Sequence, residues 1–279
     1  MLNYDLISKY IHPLYPEKTD IKPSGSIKKP VKAILFDIYG TLVISGSGGI
    51  NATENKVTNR HKIEALFKKY SVNSSIDEVN ALFVETVKKK HLKLKKNGAD
   101  YPEIIVEKIW MDLLGLDNLT TARKYAIEFE FITNPVYPMP NLKKTIEYLS
   151  SKNYLGIISN AQFYTPMLIE WFLGSDLKQC GFNDNLLFFS YKFGYAKPSS
   201  FLFKLAKKKL KTKNLHPSSV LYVGNDMLND IYTAQKEGFQ TALFAGDKRS
   251  LRLREDNVFC KTLSPDITIT DLSQLSDYL

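Results

Sequence analysis

Four short clusters of polar residues in this chain carry side chains that chemistry needs. Asp37-Ile-Tyr-Gly-Thr41 offers a carboxylate and a hydroxyl, and Ser159-Asn160 a hydroxyl and an amide; Lys197 brings an ammonium, and Asp226-Met-Leu-Asn-Asp230 brings two carboxylates one helical turn apart. Asp37 reads as a nucleophile whose carboxylate attacks an electrophilic phosphorus or carbon to give an acyl-type intermediate. Against a phosphoryl group two anions must meet. A Mg²⁺ ion resolves this by bridging them, and it wants hard oxygen ligands such as Asp37 and Asp226. Asp230 could hold a metal water or orient Lys197, whose charge would stand beside the transferring group. Ser159, with the backbone after it at Asn160, could donate to phosphoryl oxygens, and Thr41 would fix the loop that orients Asp37. Taken singly, each residue also has a plainer role: a turn or helix cap for Asp37 and Asp226, a surface lysine, a turn hydroxyl, a first-turn carboxylate at 230.

What must position these groups is legible in the periodicity. Near-continuous apolar runs at 31–36, 154–159, 186–190, 220–224 and 241–245 have the pattern of strands buried on both faces. Helical patterns at 141–152, 166–173, 198–210 and 229–238 alternate with them, Pro198 falling in a first turn and Gly238 where a helix stops. The alternation predicts an α/β fold, a Rossmann-like parallel-sheet core with right-handed crossovers. Ligands in such sheets sit beyond the carboxyl ends of the strands. The four clusters lie at or shortly after strand ends, so one rim would gather them.

One stretch breaks the alternation. Residues 52–134 contain helical periods only, at 59–70, 76–97, 103–114 and 120–133, entered through Ser45-Gly-Ser-Gly-Gly and left through Pro135, Pro138 and Pro140. The expected organisation is therefore an N-terminal extension over 1–30, a core over 31–45 and 135–279, and an inserted all-α cap domain over 46–134. The glycine-rich entry reads as a hinge. On the second cap helix Val84, Val87, His91 and Leu94 share an apolar face; Tyr101, Trp110 and Met111 read as cap core or pocket lining. Tyr4, Leu6, Ile7, Tyr10, Ile11 and Leu14 in the extension could dock as a short amphipathic piece.

The set of motifs resembles the haloacid dehalogenase-like hydrolase superfamily. The likeness runs from Phe-Asp-Ile-Tyr-Gly-Thr-Leu at 36–42 through Ile-Ser-Asn at 158–160 and Lys197-Pro198 to Val-Gly-Asn-Asp-Met-Leu-Asn-Asp at 223–230, in order, with the helical insertion after the first motif. The resemblance implies Asp37 as nucleophile and a Mg²⁺ site made by Asp37, Asp226 and the backbone carbonyl of Tyr39. It also implies a cap that closes over the rim and chooses the substrate.

The sequence departs from that pattern at Tyr39, where most phosphotransferring members resemble Asp-x-Asp-Gly-Thr and the second Asp is general acid and base. A phenol, with a reference pKa near ~10, is a poor base at neutral pH. Tyrosine there is similar to the 2-haloacid dehalogenases, whose halide leaves without a proton and which work without metal. Those enzymes lack the first carboxylate of the fourth motif and carry an arginine early in the cap, whereas here Asp226 is present and Arg60 matches only loosely. Three functions follow. The first is a Mg²⁺-dependent phosphohydrolase acting through an aspartyl-phosphate on a small phosphorylated metabolite whose leaving group needs little protonation; the second is a metal-independent dehalogenase with an ester intermediate on Asp37; the third is a weakened core kept for binding or regulation.

Composition narrows the partners. The chain has 279 residues, 44% hydrophobic with 16 Phe and 16 Tyr, enough for a sizeable core. Its apolar runs fall far short of the ~20 residues a membrane helix needs; the start shows no signal peptide, and Cys180 and Cys260 lack metal spacing and suit a reducing cytosol. A cytoplasmic protein, monomer or homodimer, with a small anionic substrate is expected. The net charge of +9 would invite nucleic acid, but Lys88, Lys89, Lys90, Lys93, Lys95, Lys96 and Lys204, Lys207, Lys208, Lys209, Lys211, Lys213 exceed that whole excess. They form two helix faces without aromatic interleaving, so neither nucleic acid nor membrane is expected as a partner. The first face could still draw in an anionic substrate.

Overall fold

The computed structural model describes residues 4–47 and 59–279. Its centre is a seven-stranded sheet of β1 (Ser24–Gly25), β2 (Ala33–Phe36), β5 (Tyr154–Ser159), β6 (Phe182–Phe189), β7 (Val220–Gly224), β8 (Gln240–Phe244) and β9 (Ile267–Ile269) in the order β1-β9-β8-β7-β2-β5-β6. All neighbours pair parallel except β1, which runs antiparallel to β9. Alternating residues of the middle strands bury into different cores. Ile34, Phe36, Leu155, Ile157, Leu221 and Val223 join one cluster, and Ala33, Leu35, Ile158, Val220 and Tyr222 the other. Side chains alternate across a strand, so a continuous apolar run is what a sheet covered on both faces requires. The first face is covered by α6 (Leu142–Ser150) and α7 (Thr165–Leu173), the second by α9 (Phe201–Lys211).

Two core helices differ from the periodicity. The chain from Ala196 to Ser199 closes a turn, with Ser199 N–H donating to the Ala196 carbonyl at 3.0 Å, so α9 starts at Phe201 and not at Pro198. The segment expected as one helix over 229–238 opens as a π-helical turn, Met227–Tyr232, and continues as α10 (Thr233–Lys236).

β3 (Val43–Ser45) and β4 (Val136–Pro138) form a separate antiparallel ribbon, and between them lie α2 (Arg60–Lys69), α3 (Ile76–Lys96), α4 (Val106–Leu114) and α5 (Leu119–Thr133). Trp110 is their centre, 2% exposed, stacked on Phe83 at 4.4 Å and edge-on to Tyr125 at 5.0 Å. Ser75 and Glu78 start α3 with a reciprocal capping box. Its expected apolar face is not core: Val84 is 45% exposed, and His91 is only half-buried, its imidazole held below the usual range by burial and by Lys95. At the ribbon, Asn134 Oδ1 accepts from the hydroxyls of Ser45 and Ser47 at 2.9 Å each. The rest of the glycine-rich entry lies outside the described residues.

The N-terminal segment packs along the molecule. α1 (Tyr4–Ser8) buries Ile7 completely, Lys248 N–H donates to the Glu17 carbonyl at 2.8 Å, and β1 pairs with β9. Among the described residues no helix is long and apolar enough to cross a membrane. The two lysine runs are mostly solvent-exposed, as on solvated helix faces.

Candidate active site

The registers set Phe36 of β2 beside Ile157 of β5 and Val223 of β7, so the residues that follow emerge side by side. Asp37 N–H donates to the Val223 carbonyl at 2.9 Å, which continues the ladder one residue and fixes the start of the loop. Gly40 has φ +82, and a Cβ there would stand 2.5 Å from Asn225 Nδ2. The loop can therefore lie directly on the tip of β7. Thr41, fully buried, donates to Asn225 Oδ1 at 3.2 Å, so its hydroxyl fixes the loop through Asn225.

Lys197 is the hub. Its Nζ donates to Asp37 Oδ1 at 2.7 Å, to Asp230 Oδ1 at 2.5 Å and to the Tyr222 hydroxyl at 3.0 Å. The lysine side chain is only 3% exposed and that of Asp230 1%, while Asp37 keeps 10% open. Asn160 holds the lysine backbone from both sides: Lys197 N–H donates to Asn160 Oδ1 at 2.6 Å, and Asn160 Nδ2 donates to the Lys197 carbonyl at 3.1 Å. Ser159 is fully buried and donates back to the Asn160 carbonyl at 3.3 Å. Gly224 makes room for Asp230, because a Cβ there would lie 2.4 Å from its carboxyl carbon.

The electrostatics follow from two carboxylates sharing one buried ammonium. Burial alone would pull the Lys197 ammonium down, but Asp230 and Asp37 outweigh it and hold it above the usual lysine range. Burial raises the Asp230 carboxyl; Lys197 opposes this, and the charges of Asp37 and Asp226 add to it. The Tyr222 phenol is pushed up by burial and by Asp230, Asp37 and Asp226, so it stays a hydrogen-bond donor.

Tyr39 points elsewhere. Its hydroxyl pairs with Thr165 Oγ1 at 3.0 Å at the start of α7, and burial, with Glu130 and Asp37, keeps the phenol protonated. It can offer a hydrogen bond but no base at neutral pH. Nearby, Glu130 and Glu103 are carboxyls raised chiefly by burial. Glu103 accepts from Ser190 Oγ at 2.6 Å and its N–H donates to the Gly194 carbonyl at 2.9 Å, which tie the loop before α4 to the chain after β6; α4 begins at Val106 and not at 103.

Asp226 is not free for a metal. Its Oδ1 accepts from the amides of Leu228 at 2.9 Å and Asn229 at 3.1 Å, and Oδ2 accepts from Asn229 Nδ2 at 3.0 Å. Arg254 Nη2 donates to Oδ2 at 2.6 Å, and its Nε lies 3.2 Å from both oxygens. A Mg²⁺ ion needs bare oxygens at ~2.0–2.1 Å in octahedral array. Among the described residues no group of three or more His, Cys, Asp or Glu side chains is placed to hold a metal ion. The Mg²⁺ expected between Asp37, Asp226 and the Tyr39 carbonyl therefore does not fit the donors as they are arranged.

Sequence patterns thus locate Asp37, Lys197 and Asp230, which touch, and Asn160, which positions Lys197. Three residues were missed. Tyr222 was hidden inside an apolar strand run, Asn225 stood unremarked between Gly224 and Asp226, and Arg254 belongs to a loop without a motif.

The model for the family described as haloacid dehalogenase-like hydrolase matches residues 31–238. No curated protein matches the chain. Among solved structures it is similar to a 2-haloacid dehalogenase from Pseudomonas syringae pv. Tomato DC3000, at 17% identity and TM-score 0.55 over 89% of this chain and 97% of that one. It is similar to a HAD phosphatase from Thermococcus onnurineus, at 18% and 0.51 over 88% and 97%. A third is the HAD-hydrolase YfnB from Bacillus subtilis, solved bound to magnesium, at 18% and 0.50 over 89% and 98%. At such identities the structures speak for the fold. The family match spans most of the chain and includes the loop of Asp37, the strand end at Ser159, Lys197 and Asp230, and on that ground this chain belongs to the haloacid dehalogenase-like hydrolases.

Proposed function

We propose that the protein hydrolyses a small anionic substrate through a covalent intermediate on Asp37, and that the leaving group departs without needing a proton. The observation that carries this reading is the Lys197 ammonium held between Asp37 and Asp230. While Asp37 is a free carboxylate, Lys197 orients it and neutralises it. When an Asp37 oxygen bonds to the substrate carbon or phosphorus, the bond to the leaving group breaks and Asp37 loses its charge. The Lys197 charge then turns to the substrate anion, where a buried ammonium acts strongly. One water then cleaves the intermediate: the bond joining Asp37 to the substrate group breaks, Asp37 returns as a carboxylate, the product carries the hydroxyl and the surplus proton goes to solvent. A protonated Tyr39 supplies no base and is a weak acid, so halides from 2-halo acids and the carboxylates of acyl phosphates suit the site better than alkoxides do. Helices α2–α5 would serve as the cap over the rim.

A second reading is a Mg²⁺-dependent phosphohydrolase. It is favoured by the placement of Asp37 and Asp226, carboxylates that follow the adjacent parallel strands β2 and β7. It requires Arg254 to leave Asp226.

The test is turnover of 2-chloropropionate, acetyl phosphate and an alkyl phosphate, each with EDTA and with Mg²⁺, together with intact-mass analysis of trapped protein. Expected are a mass adduct on the wild type, none on Asp37→Asn, and chelator-insensitive turnover confined to the good leaving groups. Turnover of the alkyl phosphate that appears only with Mg²⁺ would establish the second reading in place of the first.

A further inference from the structure

We infer that Arg254 is a built-in cation for Asp226, occupying the coordination space at the end of β7 that a divalent ion would otherwise take. Six donor contacts from protein groups fall on the two Asp226 oxygens: two amides, the Asn229 side chain, and three from the guanidinium. A carboxylate offers about four lone-pair sites, so nothing remains for a metal. A planar guanidinium meets a carboxylate in a fork that a lysine could not make.

The backbone of the loop that carries Arg254 is held in place, while the arginine side chain itself is 41% exposed. The loop carrying Arg254 is stitched to the β7 tip itself: Arg252 N–H donates to the Asn225 carbonyl at 3.0 Å and Met227 N–H to the Arg252 carbonyl at 2.9 Å. Asn225 Nδ2 adds a bond to the Ser250 carbonyl at 2.6 Å. Arg254 itself sits at φ 55, a left-handed conformation that a non-glycine residue adopts at a cost and keeps only where its surroundings hold it.

The other end of the loop is gripped by the N-terminal segment. Glu17 N–H donates to Asp247 Oδ1 at 2.9 Å, Thr19 Oγ1 donates to the Ala245 carbonyl at 2.7 Å, and Arg249 pairs with Glu17 at 3.6 Å. The extension thereby gains a role: it braces the loop that delivers Arg254.

The test reads metal binding and not turnover, so it stands apart from the hydrolytic reading. Mn²⁺, a hard-oxygen probe visible by electron paramagnetic resonance, is titrated into full-length wild type, Arg254→Gln, and the Arg254→Gln/Asp226→Asn double variant. Folding of each is checked by circular dichroism. Expected is no saturable site in the wild type up to about 1 mM, the weak end of the range of built cation sites with hard-oxygen ligands. Arg254→Gln should gain one site at least about tenfold tighter, and the double variant should lose it again. A folded Arg254→Gln that gains no site overturns the inference. So does a wild type that already binds one Mn²⁺ in the micromolar range and loses it on Asp226→Asn. That last measurement can overturn the inference even if Arg254→Gln fails to fold.

Discussion

Asp230 and Glu128 are both carboxylates with 1% of their side chain exposed, and both face a lysine and a phenol, yet their acidities move in opposite directions. Glu128 on α5 accepts from the hydroxyls of Tyr10 at 2.6 Å and Tyr70 at 2.7 Å and from Lys69 at 2.6 Å. Burial pushes it up, but those donors outweigh burial and hold it below the usual range. Its lysine is 52% exposed and, among the described residues, pairs with no second carboxylate. Asp230 shares a lysine that is 3% exposed with Asp37, and burial wins. A carboxylate saturated by its own donors holds structure together. One that must divide a single buried cation keeps a surplus of field, and such surplus is what reactive sites retain.

The comparison can be broken most forcefully at Asp37. Asp37→Asn should lower turnover by about 10³-fold or more, because the nucleophile is gone. It should leave stability unchanged or raised, since one competitor for Lys197 is removed; a large drop in thermal midpoint would mean that the cluster is structural like that of Glu128. Lys197→Met strands two buried carboxylates. It should abolish turnover and cost about 3–5 kcal/mol in urea unfolding, the penalty for orphaning a buried charge. Glu128→Gln should cost roughly 1–3 kcal/mol while leaving turnover within about threefold, because it touches packing and not the rim; a large fall in turnover would erase the distinction.

The pH dependence separates the two groups by sign. Asp230 binds its proton more tightly in the folded chain than in the unfolded one, where the value is near ~4. Its contribution to stability is therefore greatest at low pH and declines as pH rises above that value. Glu128 contributes above its unfolded value, near ~4.3, and that part is lost as pH falls through its lower folded value. Denaturant melts across pH 3 to 8 should thus show a weaker high-pH decline in Asp230→Asn and a weaker acid decline in Glu128→Gln. Exchanging those two outcomes would sink the assignment. The smallest effect is Tyr10→Phe, which removes one of three donors and should cost about 1 kcal/mol with unchanged turnover.

Much of this was legible before any coordinates. Apolar runs without alternation marked β2, β5 and β7 because both faces of the sheet are covered, and the polar residues at their ends marked Asp37, Asn160 and Asp230 because strand tips are where a parallel sheet opens. β1 was not legible: two exposed residues, Ser24 and Gly25, carry no periodic signal, and only the free edge of β9 makes them a strand. The apolar face of α3 misled, since periodicity announces a stripe without saying that anything will cover it.

By itself the sequence determined the main elements, their order and the chemical types gathered at the rim, because these are written in local period and spacing. Tertiary structure alone decided the pairings. Lys197 meets Asp37 across 160 residues and Arg254 meets Asp226 across 28. Which charges neutralise which depends on strand order and on loops stitched to a neighbouring strand's tip, and no local pattern of residues encodes either. So the sequence could place Asp226 among the carboxylates of a metal site, while the fold had already supplied it with a cation.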